Sequence, residues 1–122
     1  MAFSLPDFDE MLALSDEIGT QATTLGLLKA ELKGLISIIT REVMSNQNHW
    51  ITKTKPPAMN YIETTFHRDG YDEFTSTKLN ALRVSISEVD GRLEMLKLKF
   101  QVYRYQIDVW KADQYAKRSA QY

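Results

Sequence analysis

The feature that most constrains this chain is an unbroken line of large apolar side chains in its C-terminal half. They follow one another at alternating steps of three and four residues: Leu79, Leu82, Ile86, Val89, Leu93, Leu96, Phe100, Tyr103, Ile107 and Trp110. Such spacing places all of them on one face of an α-helix and is the heptad pattern of coiled coils. It predicts a long helix over about residues 72–120.

The segment FQVYRYQIDVW, residues 100–110, also alternates apolar and polar side chains, which is typical of a half-buried strand. A second apolar line explains this alternation within a helix. Its members lie two residues out of phase with the first line, about 200° around the helix. We call five of them the outer stripe: Met95, Leu98, Val102, Tyr105 and Val109.

The N-terminal half predicts a second long helix, over about residues 5–46. Apolar side chains recur there every seven residues, at Met11, Ile18, Leu25, Leu32 and Ile39. Ser4 and Asp7 have the spacing of a capping box at its start. The whole chain is therefore predicted to be a single all-α domain, residues 1–122. In it, the two helices form a long antiparallel hairpin of coiled-coil type.

A line of small residues runs along the first predicted helix, at Gly19, Thr23, Gly26, Ala30 and Gly34. Each interior glycine costs a helix roughly 0.5–1 kcal/mol relative to alanine. Close approach of another backbone would explain the glycines. A kink, or a split of the helix near Gly19 or Gly26, is the alternative.

The connection between the helices, about residues 47–71, breaks the helical pattern at Pro56-Pro57. The runs 50–54 and 61–66 are rich in β-branched and aromatic residues, as strands are. We therefore predict an extended or β-like connecting arm, either a small hairpin or a segment that becomes ordered against a partner. Trp50, Tyr61 and Phe66 are its candidate contacts with a neighbouring protein.

A two-helix hairpin is too thin to bury both apolar lines of its second helix. The outer stripe is therefore predicted to be a protein interface, with copies of this chain or with a different protein, so that oligomerisation completes the fold. The alternative is that the connection, or a bent first helix, folds back over it.

Little in the sequence points to chemistry. The chain has no cysteine, which excludes disulfides, thiolate catalysis and cysteine-ligated zinc. His67 and Asp69 supply two metal ligands without a third, and His49 lacks the context of a hydrolase. We expect no catalytic, cofactor-binding or metal site, no small-molecule substrate and no enzymatic activity. Lys53 and Lys55 lie near aromatic residues, but the net charge of −1 does not favour nucleic acid.

The general shape, two long helices joined at one end, resembles the small secreted hairpins that carry a Trp-x-Gly turn. The turn region here has Trp50-Ile51-Thr52, without the glycine, and the connection is too long for that family, so its function is not carried over. In architecture the chain resembles structural components of viral particles, tails and secretion machines. We expect a non-enzymatic structural or assembly subunit that forms homo-oligomers, and the alternative is an adaptor or chaperone-like module that binds a partner helix. With no basic, apolar leader and no membrane span in the sequence, it is expected in the cytoplasm or in a particle assembled there.

Overall fold

The computed structural model describes residues 5–120, and the described residues contain helices and turns but no strand. Two long helices, α1 (Phe8–Ser45) and α4 (Glu73–Ala120), account for most of them. Between them lie a 3₁₀ turn (Gln47–His49), α2 (Met59–Tyr61), a π-helical turn (Ile62–Phe66) and α3 (His67–Asp69). The predicted pair of long helices is confirmed: α1 and α4 pack together, and FQVYRYQIDVW lies inside α4.

The start of α1 differs from the sequence prediction. Asp7 precedes the helix, and its Oδ1 accepts a hydrogen bond from the backbone N–H of Asp9 at 2.8 Å. Asp7 is thus the residue that caps α1, since its oxygen satisfies one of the unpaired N–H groups of the first turn. Ser4, the predicted cap, lies outside the described residues.

The described chain forms two compact units, the first made of residues 24–88 and the second of residues 5–23 with 89–120. The first unit holds a core to which three helical segments contribute. Ile39 and Val43 come from α1, Leu79 from α4 and Ile62 from the π-helical turn, and all four side chains are fully buried. Leu35 and Leu82 complete this core cluster.

The prediction of an extended or β-like arm at residues 47–71 is wrong over residues 59–69. There α2, the π-helical turn and α3 follow one another without a gap, and we call them together the short helical run. Of the two strand-like runs, 61–66 is helical, and 50–54 contributes only an isolated bridge between Thr52 and Lys55. Burial decides the outcome, because Ile62 and Phe66 are four residues apart on one helical face and both pack into the core.

Gly70 makes the turn between the short helical run and α4. Its backbone has φ +74°, a left-handed conformation that glycine adopts without strain. A Cβ atom there would lie 2.5 Å from Thr75 Oγ1 and 2.8 Å from the backbone nitrogen of Ser76. This close approach lets Thr75, which is buried, reach back to the start of α4.

A reciprocal pair of hydrogen bonds begins α4. The Thr75 N–H donates to Asp72 Oδ1 at 2.7 Å, and the Asp72 N–H donates to Thr75 Oγ1 at 3.1 Å. This is a capping box with threonine in place of the usual acid or amide. The bonds from the Thr75 N–H and hydroxyl lower the pKa of Asp72, since both favour the ionised carboxylate.

The glycines in the line of small residues on α1 pack against no other segment of the described chain. Gly19, Gly26 and Gly34 are exposed, and a Cβ atom at each would have no neighbour within 4 Å. The predicted close approach of another backbone is therefore absent from residues 5–120. The helix is not split either, because α1 is assigned as one helix from Phe8 to Ser45.

In the second unit α1 and α4 pack as a helix pair. Leu14, Val89 and Leu93 are buried between them. Further along, the predicted main line of α4 is half-buried, at Leu96, Phe100, Tyr103, Ile107 and Trp110. The Tyr103 hydroxyl donates to Glu10 Oε2 at 3.5 Å, which joins the two helices near the start of α1.

Gly70→Ala is expected to lower the free energy of unfolding by about 2–4 kcal/mol, because it combines a strained φ with overlap against Thr75. Gly34→Ala is the matched control. It should raise the free energy of unfolding by roughly 0.5–1 kcal/mol, since the site is open and alanine favours helix. Urea unfolding followed by circular dichroism measures both, and equal stability of the two variants would contradict this account of the turn.

Asp72→Asn tests the charge at the start of α4. The pKa of Asp72 is lowered in the folded chain, so its ionised form stabilises the fold at neutral pH, and this stabilisation is lost below about pH 4. Asparagine keeps an acceptor oxygen but cannot ionise. The melting temperature of the variant should therefore fall less between pH 7 and pH 3 than that of the unaltered protein, whereas equal falls would argue against the charge.

Candidate protein interface

The outer stripe of α4 is largely in contact with solvent. Met95, Leu98, Val102 and Tyr105 are 72%, 61%, 54% and 68% exposed, and Val109 is half-buried. All five lie in the second unit, on one helix and at heptad spacing. A line of large apolar side chains of this kind marks an interaction surface more often than isolated exposed residues do.

The packing of α4 explains why this stripe is uncovered. Its opposite face carries the main apolar line, and that face is the one that packs against α1, where Leu93 is 4% exposed. The structure therefore does not show the alternative, in which the connection or a bent α1 folds back over the outer stripe. Within the described chain, Met95, Leu98, Val102 and Tyr105 remain mostly in contact with solvent.

Trp50, one of three interface residues predicted in the connection, is used within the first unit. It is half-buried, and its Nε1–H donates to the backbone oxygen of Val43 at 2.8 Å. Val43 lies in the last turns of α1, where carbonyl groups lose their helical partners. The indole thus holds the start of the connection onto the end of α1.

The other two predicted residues of the connection, Tyr61 and Phe66, lie against each other. Their rings meet edge to face, with centroids 5.9 Å apart, and Phe66 packs on the core cluster. Tyr61 is 37% exposed, so one side of its ring remains available. Contact of Trp50, Tyr61 and Phe66 with a neighbouring protein stays a prediction.

His67 fixes the short helical run to the rest of the first unit. Its Nε2 lies 2.6 Å from Thr40 Oγ1, and the Thr40 hydroxyl in turn lies 2.9 Å from the Ile36 carbonyl. Arg83, on α4, donates to the carbonyl oxygens of His67 and Arg68. The bonds from Arg83 satisfy carbonyl groups at the end of the short helical run. The ring of His67 has a structural role here, because it bonds to Thr40 of α1.

His49 is held among aromatic rings and one acid. It lies 5.0 Å from Tyr71 and 6.2 Å from Phe66 between ring centroids, and its Nε2 is 3.6 Å from Glu42 Oε1. Burial, followed by the charges of Asp72 and Glu42, raises the pKa of Tyr71. Within residues 5–120 no three His, Cys, Asp or Glu side chains form a group that could hold a metal ion.

Sequence reasoning missed Tyr115, which is 68% exposed beside the C-terminal continuation of the outer stripe. Its position one residue before Ala116, at the edge of the heptad pattern, is the signal that would have found it. It also missed the bond between His67 and Thr40, because residues so far apart in sequence give no local pattern.

Comparisons with models of protein families, with curated proteins and with solved structures give no match. Among the helices of residues 5–120, none is both long enough and apolar enough to cross a membrane.

Trp50→Phe separates an internal role of the indole from a role in binding. The variant keeps the aromatic ring but loses the hydrogen bond to Val43, so the free energy of unfolding should fall by about 1 kcal/mol. Tyr61→Phe is the control and should change it by less than about 0.5 kcal/mol. Urea unfolding measures both, and light scattering should give each variant the mass of the unaltered protein. Unchanged stability with a lower mass would instead assign Trp50 to an interface.

Proposed function

We propose that this protein is a non-enzymatic structural or assembly subunit that self-associates through the outer stripe of α4. The observation that carries the proposal is the exposure of four large apolar side chains in one helical line. Burying a side chain of this size completely is worth roughly 1.5–3 kcal/mol, and more than half of that remains ungained at each position. Covering this surface with a partner would release the remaining free energy of burial, which favours association.

The shape of the stripe agrees with a helical partner. From Met95 to Val109 it extends about 21 Å along α4, and its members alternate in steps of three and four residues. A second helix laid along this line would place its own apolar side chains between those of α4, as in coiled coils. A small ligand would not need so long a line.

The kind of assembly is proposed from likeness of architecture. Long helical hairpins are common building blocks of viral particles, tails and secretion machines, and a subunit of that class is consistent with the exposed stripe. An adaptor that binds the helix of a different protein would use the same stripe, and the two functions separate by mass in solution.

Light scattering on the pure protein at micromolar concentration tests the proposal, first on the unaltered chain and then on a Val102→Asp, Val109→Asp double variant. We expect a fixed multiple of the chain mass for the unaltered protein. The double variant should have the mass of one chain and unchanged helical circular dichroism, because burying unpaired carboxylates in an apolar interface is costly.

Arg104→Asp is the matched control. It changes the net charge by the same amount as the double variant, but Arg104 is exposed away from the outer stripe. The control should keep the mass of the unaltered protein. An unaltered chain that stays single would contradict self-association, and gain of a complex with a separate helical partner would then favour the adaptor.

A further inference from the structure

The outer stripe extends beyond Val109 in an unbroken heptad register. Met95, Val102, Val109 and Ala116 occupy one of the two apolar heptad positions, and Leu98, Tyr105 and Ala112 occupy the other. All lie on α4 within the second unit. We infer that the partner on this line is α4 of a second copy, packed antiparallel, with Val102 of each copy facing Tyr105 of the other. This inference rests on the proposed function and specifies its partner and geometry.

The sizes of the side chains favour this register. Between Met95 and Ala112, antiparallel packing pairs a large residue with a smaller one in each layer: Met95 with Ala112, Tyr105 with Val102, and Leu98 with Val109. Layers of similar volume fill an interface without cavities. Parallel packing would instead stack Tyr105 on Tyr105 and Ala112 on Ala112, which gives one crowded layer and one with a gap.

The charges beside the stripe give an independent reason. Residues flanking one side of the stripe face the same flank of an antiparallel partner. In this register the facing pairs are Arg92 with Asp113, Lys99 with Gln106, Glu94 with Tyr115 and Gln101 with Asp108. No pair brings like charges together, and Arg92 with Asp113 is an attraction that occurs twice by symmetry.

Other arrangements each place like charges face to face. Parallel packing would pair Glu94 with Lys99 but also Asp108 with Asp113. Shifting the antiparallel partner by one heptad in one direction places Lys99 of one copy opposite Lys99 of the other. A shift of one heptad in the opposite direction places Asp108 opposite Asp108. Facing like charges are unfavourable and select against these registers.

The flanking side chains are available for these contacts. Arg92, Lys99 and Gln106 are exposed, and Asp113 is half-buried. Asp113 Oδ2 already lies 3.2 Å from Lys117 Nζ on its own helix. A carboxylate has two oxygens and several acceptor positions, so Asp113 can also accept from Arg92 of the second copy.

Disulfide trapping tests the geometry, and the chain contains no cysteine to interfere. Leu98→Cys and Val109→Cys proteins are prepared separately, mixed in equal amounts and oxidised gently. The inference expects a cross-linked pair of chains in the mixture and none in either protein alone. Leu98→Cys mixed with Val102→Cys is the matched control and should stay uncross-linked, because those positions lie a full heptad apart in this register.

The outcomes separate the inference from the function on which it rests. If Leu98→Cys cross-links with itself, or pairs with Val102→Cys, the protein self-associates but the proposed geometry is overturned. If the unaltered chain has the mass of two copies and no mixture cross-links, the interface lies elsewhere, and the inference fails. If the unaltered chain has the mass of one copy, the proposed function fails as well.

A charge exchange gives a second readout that does not depend on cysteine. Arg92→Glu should raise the dimer dissociation constant roughly tenfold, because two attractions become two repulsions. Adding Asp113→Arg should restore it to within about threefold of the unaltered value. In parallel packing Arg92 would face Ser87, so an unchanged constant in the single variant would overturn the antiparallel geometry.

Discussion

Burial of Ile62 against α1 and α4 is the interaction on which the first unit depends. A pair of helices encloses little interior, but a third segment laid over it creates one, and Ile39, Val43 and Leu79 become fully buried around that side chain. The turn at Gly70, the capping box of α4 and the bond from His67 to Thr40 all hold this third segment in place. Over residues 5–23 and 89–120 the second unit has no helix besides α1 and α4, so one side of its longer helix remains uncovered there.

The two long helices could be predicted because their signal is periodic and local. Ten apolar side chains at heptad spacing outweigh the short alternation of FQVYRYQIDVW, and the structure places that segment in α4. The connection could not be predicted in the same way. Its residues 61–66 favour strand by composition, but Ile62 and Phe66 are helical because the core cluster lies on one side of them. That decision is made by residues distant in sequence.

The candidate site, like the fold, could be predicted where the sequence signal is periodic and not where distant residues decide the structure. The exposure of the outer stripe from Met95 to Tyr105 follows from the heptad count, since a helix apolar on two sides has only one face against α1. The indole of Trp50 bonds to the Val43 carbonyl of its own chain, and the predicted contact of Trp50 with a neighbouring protein stays a prediction. An aromatic residue in a loop has the same sequence signature in both roles, and only its surroundings distinguish them.

The hydrogen bond between Tyr103 and Glu10 joins residues 93 positions apart, whereas the contacts near Gly70 join residues a few positions apart. Closing a longer loop costs more conformational entropy, so we expect the helix pair to form first near the turn and last near the chain ends. Local opening should follow the reverse order, so the start of α1 and the end of α4 should fray first and exchange their amide hydrogens fastest. A second helix bound along Met95 to Ala116 would stabilise the part of the helix pair that forms last and opens first.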